Sequence, residues 1–237
     1  MPSSLAWIVD GRRMVQADRR AAIPAHLAAL LSPSERSRLQ GFQRAPRACE
    51  FLLGRLLMRH ALMQASAGRL EEIEVEERPG YAPIVRIAGV LADGVAQPAV
   101  SLSHSRGWIV CAVGMGTPIG VDIEAPLAGR DLATLAEHAF TPAELAWLAQ
   151  QAQDQAEARE DAFYRLWCAK EAEYKYRHHA GEHHALAAAS VPPTLHHERQ
   201  PHYHLCICSR AEAGQHRSKE IALEALLEWT EGRGSSG

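Results

Sequence analysis

The chain has no run of residues long and apolar enough to cross a bilayer as a helix, which excludes a helical membrane protein. It has little cysteine. Five residues, Cys49, Cys111, Cys168, Cys206 and Cys208, are odd in number and scattered, so no disulfide framework is expected and a reducing cytoplasm is. It has no excess of positive charge either. Against 28 Asp and Glu stand 25 Lys and Arg, a net charge of −3, and this removes any electrostatic case for general nucleic-acid binding. The opening residues, MPSSLAWIVDGRR, lack the basic-then-apolar layout of a secretory leader. What is present is apolar residue, 47% of 237, with 22% charged, which is enough for a packed core in one large domain or two small ones.

Histidine is unevenly spread. Nine of the thirteen follow residue 170, and eight fall between His178 and His204. Structural zinc asks for four well-spaced ligands, usually with cysteine pairs, and Cys206-Ile207-Cys208 has the wrong spacing. Solvated loop histidines are the expectation.

Two stretches read as helix starts. In SPSE, Ser32 is the cap, Pro33 takes the first helical position and Glu35 can reach back. TPAE, Thr141 to Glu144, repeats the arrangement. Each precedes a longer helical pattern, from Pro46 to about Ala65 and from Asp161 to about Arg177. On the first of these, Arg47, Arg55 and Arg59 recur at four and eight on one face. The echo hints at two similar α+β halves. The stretch IEVEERPGYAPIVRI reads as two short strands. AVSLSHSRGWIVCAVG reads as strand, polar turn and strand, with SLSHS in the turn. QPHYHLCICSR reads as one strand, and Glu220 to Trp229 as a last helix.

Three pieces carry chemistry. In GVDIE, the period of two puts Asp122 and Glu124 on one face of a strand, where their oxygens can share a hard cation. In WCAKEAEYK, Glu171 and Lys175 are four apart on one helix face; as an ordinary exposed pair they would contribute only about 0.3–0.5 kcal/mol. In SLSHS, His104 lies between two serines and could meet an oxyanion.

The ordered set SLSHS, GVDIE and WCAKEAEYK, with FLLGRLLMR upstream, resembles the signature motifs of the Sfp-type 4′-phosphopantetheinyl transferases from about Ser32 to Lys175. The resemblance implies an α+β fold of two pseudo-symmetric halves, 1–115 and 116–230, with the active site at their interface and a flexible tail at 231–237. It implies coenzyme A as donor, magnesium as metal, and a serine of an apo acyl or peptidyl carrier protein as acceptor, in fatty acid, polyketide or nonribosomal peptide biosynthesis. Asp122, Glu124 and Glu171 match the family's magnesium-binding acids. Glu171 and Lys175 match its catalytic positions, and Ser103 and His104 the pair that contacts the 3′-phosphoadenosine part of the coenzyme. Arg47 and Arg55, on their helix face, are candidate phosphate contacts. The family's Gly-Lys-Pro-like or Gly-Arg-Pro-like triplet departs here to Gly80-Tyr81-Ala82-Pro83, so Arg78 is the candidate replacement for its basic residue, with Arg86 as the other possibility. The expected protein is a cytoplasmic monomer that binds neither nucleic acid nor membrane. Two rivals stand beside it: another magnesium-dependent enzyme that cleaves a diphosphate, and a carrier-binding or metal-binding module without catalysis.

Overall fold

The structure is a computed structural model that describes residues 4–16, 23–66, 69–78, 82–88, 98–151, 156–182, 193–210 and 216–234. Strand β1 (Ser4–Asp10) sits inside a four-stranded sheet of order β4-β5-β1-β9. It runs antiparallel to β5 (Trp108–Met115) and parallel to β9 (His216–Ile221). Strand β4 (Pro98–Ser105) pairs antiparallel with β5 at the sheet's edge. A separate three-stranded sheet has the order β6-β8-β7, from Ile119–Glu124, Tyr203–Ser209 and Thr194–Gln200. Strands β2 (Ile73–Glu76) and β3 (Ile84–Ile87) form a small hairpin pair.

Alternation decides which side each residue serves. On β1 and β5, Trp7, Val9, Ile109, Cys111 and Val113 face helix α4 (Ala45–Ser66) and its Leu52, Leu53, Leu56 and Leu57. The opposite face, with Ala6, Ile8, Val110 and Ala112, packs on Ile119, Val121, Ile123, Leu205 and Ile207 of the second sheet. Because both faces are covered, β5 reads as a continuous apolar run. Helix α7 (Ala156–Glu182) covers the far side of the second sheet through Cys168, Ala172 and Tyr176, against Cys206 and Cys208. All five cysteines are free and buried. Mixed helix and sheet bear out the α+β reading.

Both capping boxes form. Ser32 Oγ accepts from the Glu35 N–H at 3.3 Å and Glu35 Oε2 accepts from the Ser32 N–H at 2.7 Å, opening α3 (Pro33–Gln40). Thr141 and Glu144 do the same for α6 (Pro142–Gln151). Each capping glutamate also reaches the next long helix. Glu35 pairs with Arg59 of α4 at 2.9 Å, and Glu144 with Lys170 of α7 at 2.8 Å.

Some elements differ from the sequence reading. Strand β9 occupies residues read as the start of the last helix, which here is α8 (Leu223–Gly234). Pairing with β1 holds Glu220 and Ile221 extended, and carries the chain after residue 116 back into the first sheet. Four residues of the expected tail, 231–234, are helical; 235–237 and His183 and His184 lie outside the described residues. The SLSHS residues are strand, and the turn is Arg106-Gly107, both at positive φ as a two-residue hairpin loop requires.

Among the described residues of the histidine-rich stretch, His202 is exposed in the turn between β7 and β8, but three others are not in a loop. His196, His197 and His204 lie on β7 and β8, with His204 buried and stacked on Tyr164 of α7. Burial pushes the His197 imidazole down to about 4, and burial also lowers His204. An unfolded histidine binds its proton near pH 6.5, whereas folded His197 waits until about 4. Stability therefore falls as pH drops through that window, by at most about 1.4 kcal/mol per pH unit for one such group. Urea melts across this range are expected to lose part of their pH slope in His197→Gln; an unchanged slope contradicts the half-buried, neutral assignment.

Candidate active site

A cavity of about 340 Å³ opens between α4, β4 and α7. Five residues singled out from the sequence line it: Arg47, Arg55, Ser103, His104 and Lys175. Helix α7 reaches the site because β6 lets it come close. A Cβ on Gly120 would stand 1.9 Å from the Ala172 carbonyl oxygen and 2.6 Å from the Tyr176 nitrogen. Glycine at this position brings the helix backbone onto the strand, and Gly120, Asp122 and Glu124 share the strand face by alternation.

Lys175 does not pair along its own helix with Glu171. Its Nζ donates to Asp122 Oδ1 at 2.8 Å and to the Val121 carbonyl at 3.0 Å. Ser103 Oγ donates to the same Asp122 oxygen at 2.7 Å. Asp122 is buried, not a solvated strand-end charge, and its other oxygen, Oδ2, has no hydrogen-bond partner among the described residues. Glu124 Oε2 accepts from Ser105 Oγ at 2.9 Å and lies 3.7 Å from Arg130. Burial raises the Glu124 carboxyl above its ordinary value; Asp122 beside it pushes the same way, while the Ser105 hydrogen bond opposes them.

His104 stands 3.2 Å from Arg47 Nη1 and 3.4 Å from Glu50 Oε2. Burial lowers its pKa, with Glu50 opposing and Arg47 and Lys175 adding to the fall, so the imidazole is neutral at pH 7. Glu50 was not read from the sequence. It is buried, accepts the Gly107 N–H at 3.2 Å on one oxygen and meets Arg47 at 3.1 Å on the other. The three-residue spacing from Arg47 was the available signal.

The arginines divide. Arg47 is 55% exposed and has charge to offer a ligand. Arg55 lines the cavity, yet it is buried and bound through Nε to Glu77 at 2.6 Å, with Glu35 at 3.5 Å and its guanidinium over the Phe51 ring. Two carboxylates offset its charge. Arg78 does not line the cavity; its Nε and Nη2 donate to the Ala82 carbonyl. Arg86 pairs with Glu76 at 3.2 Å. Ala82 and Pro83 do line the cavity, and Gly80 and Tyr81 lie outside the described residues.

Among the described residues, no three His, Cys, Asp or Glu side chains converge to hold a metal. The three-acid set read from the sequence is not assembled: Asp122 and Glu124 stand together, and Glu171 is partly buried one turn before Lys175 on α7. Two adjacent carboxylates, one carrying a buried oxygen without a partner, still suit magnesium, which commonly takes one or two carboxylates and completes its shell with phosphate and water.

The model of the 4′-phosphopantetheinyl transferase superfamily matches residues 118–224. That similarity covers somewhat less than half of the chain. It is 36% identical over 121 residues to 4′-phosphopantetheinyl transferase psf-1 of Bacillus pumilus, covering 51% of this chain and 46% of that protein. It is 30% identical over 151 residues to 4′-phosphopantetheinyl transferase HetI of a Nostoc species, covering 63% and 60%. To the 4′-phosphopantetheinyl transferase of Bacillus subtilis it is 42% identical over 71 residues, covering 30% and 29%. The chain thus spans about half the length of the relatives placed first. Asp122, Glu124, Glu171 and Lys175 fall within the superfamily match; Arg47, Arg55, Arg78, Ser103 and His104 precede it. Among the described residues, no helix is long and apolar enough to cross a membrane.

Proposed function

We propose that the chain transfers the 4′-phosphopantetheine group from coenzyme A to a serine of an apo acyl or peptidyl carrier protein, with magnesium. One observation carries the reading: Lys175 sits on Asp122 at the wall of a cavity that also presents Arg47 and His104. Cationic and hydrogen-bonding groups above buried acids suit a polyphosphate bridged by a divalent cation.

In the proposed reaction the carrier serine attacks the phosphorus that bears the pantetheine arm. A new Oγ–P bond forms, the pyrophosphate P–O bond breaks, adenosine 3′,5′-bisphosphate leaves, and the hydroxyl proton passes to a base. Asp122 and Glu124 would hold the magnesium, which when bound would offset charge on the pyrophosphate as the bond breaks. Glu171, directly or through a water, takes the proton. Lys175 meets charge on the departing phosphate, Arg47 and Arg55 border the phosphates, and Ser103 and His104 border the 3′-phosphoadenosine end. Arg78 enters only as support for the cavity rim at Ala82. The proposal includes a cytoplasmic monomer of two similar halves, 1–115 and 116–230. Cavity walls drawn from both stretches support it, as do capping glutamates that each reach the following long helix.

His104→Ala is expected to weaken coenzyme A binding about tenfold, the scale of one hydrogen bond to a charged group, while leaving the 3′-dephospho form unaffected. Titration calorimetry of both donors checks this, and equal losses remove His104 from the 3′-phosphate. The whole proposal is tested by incubating the protein with coenzyme A, magnesium and a panel of apo carriers and weighing the carriers. A carrier heavier by one phosphopantetheine supports transfer; hydrolysed donor with unchanged carriers points to a diphosphate-cleaving enzyme, and no reaction to a binding module.

A further inference from the structure

Strand β4 ends the four-stranded sheet and β6 ends the three-stranded sheet, and the two edges are not joined by a backbone ladder. Serine hydroxyls join them instead. Ser101, Ser103 and Ser105 alternate along β4, so all three face one way. Ser101 Oγ accepts the Val121 N–H at 3.0 Å. Ser103 Oγ donates to Asp122 Oδ1 at 2.7 Å. Ser105 Oγ does both, accepting the Ala125 N–H at 3.2 Å and donating to Glu124 Oε2 at 2.9 Å.

The last rung differs in kind. A hydroxyl that accepts a fixed backbone N–H has its own proton aimed elsewhere, and here the target is one oxygen of Glu124. That carboxylate has few other restraints: Arg130 is 3.7 Å away, and Asp122 beside it carries like charge. The geometry points to Ser105 as a positioning residue that fixes the Glu124 carboxylate for a divalent cation shared with Asp122. The inference rests on the proposed magnesium site and adds to it a residue that touches neither metal nor substrate.

Ser101 supplies a matched control, because it also covers one edge N–H of β6 but touches no carboxylate. Ser101→Ala and Ser105→Ala should lower the melting temperature comparably, each leaving one backbone donor without its acceptor. Their cation affinities should separate. The probe is Mn2+, a hard divalent ion suited to carboxylates, titrated into protein alone and with coenzyme A, with free ion read by electron paramagnetic resonance. Ser105→Ala is expected to bind Mn2+ about 10–100-fold more weakly, the usual effect of losing a group that orients a ligating side chain. Ser101→Ala should bind like the wild type, and Ser105→Thr, which keeps the hydroxyl, should recover most of the loss. If Ser105→Ala does not fold, Ser105→Cys reads the same quantity with a poor donor at the position. Equal Mn2+ affinity in Ser101→Ala and Ser105→Ala overturns the proposal and leaves the serines as a seam between sheets. A wild-type protein that takes up no Mn2+ overturns the magnesium reading with it, and that failure is recognised before any variant is made.

Discussion

Lys175→Ala is expected to lower turnover by roughly 10²-fold or more, the usual scale for removing one group that meets charge developing in the transition state. Coenzyme A affinity should change much less, because such a group stabilises the departing phosphate more than the bound donor. The structure sharpens the expectation. Lys175 is no surface partner of Glu171; its ammonium is anchored at 2.8 Å to buried Asp122 and at 3.0 Å to the Val121 carbonyl, and it lines the cavity. Removing it also leaves the Asp122 carboxylate without its cation, so some loss of stability accompanies the loss of rate. Lys175→Met, which keeps most of the stem, separates the lost packing from the lost charge. Steady-state kinetics and calorimetry on one preparation decide the role. Unchanged turnover removes Lys175 from the chemistry, and equal losses of rate and affinity make it a uniform binding contact.

Gly120→Ala is expected to damage both the fold and the site. The added methyl would stand 1.9 Å from the Ala172 oxygen and 2.6 Å from the Tyr176 nitrogen. Both are backbone atoms of α7, so no rotamer change relieves the clash; either helix or strand must move. Overpacking of this kind costs typically 1–3 kcal/mol and occasionally more, and here the upper end, about 3 kcal/mol, is expected. Because α7 carries Lys175 while β6 carries Asp122, separating the two elements also breaks the ion pair at the site. Urea denaturation should report the lost stability, and the fraction that still folds should have lost transfer out of proportion to it. A variant with wild-type midpoint and rate would show that the close approach of α7 to β6 is dispensable.

The sequence made some of this legible and hid the rest for identifiable reasons. The capping boxes at Ser32 and Thr141 were readable because they depend on residues three apart. Alternation on β6 was readable for the same local reason. Strand β1 was not singled out, since SLAWIVD is a short apolar run that periodicity cannot assign. Glu220 and Ile221, the last two residues of β9, were taken for helix because their partner, β1, is more than 200 residues away. At the site, residue type marked Arg55 and Arg47 alike, and only three dimensions reveal that Glu77 and Glu35 occupy Arg55. The serines of SLSHS read as a turn because polar residues in a strand look unsatisfied until the facing edge of β6 is known. Glu171, Asp122 and Glu124 were grouped by motif, and the structure brings together only the last two.

The pairing of β1 with β9 sets an order of events for the growing chain. Ser4 pairs with His216 and Val9 with Ile221, a closure over more than 200 residues. Until that late segment leaves the ribosome, one edge of β1 has no neighbour, and its Ala6, Trp7, Ile8 and Val9 form an apolar strand with unmet backbone groups. Contacts this distant in sequence close slowly. Strand β1 is therefore completed long after it is made, and in the meantime its open edge is the surface on which unfinished chains would meet one another and which a chaperone would have reason to cover.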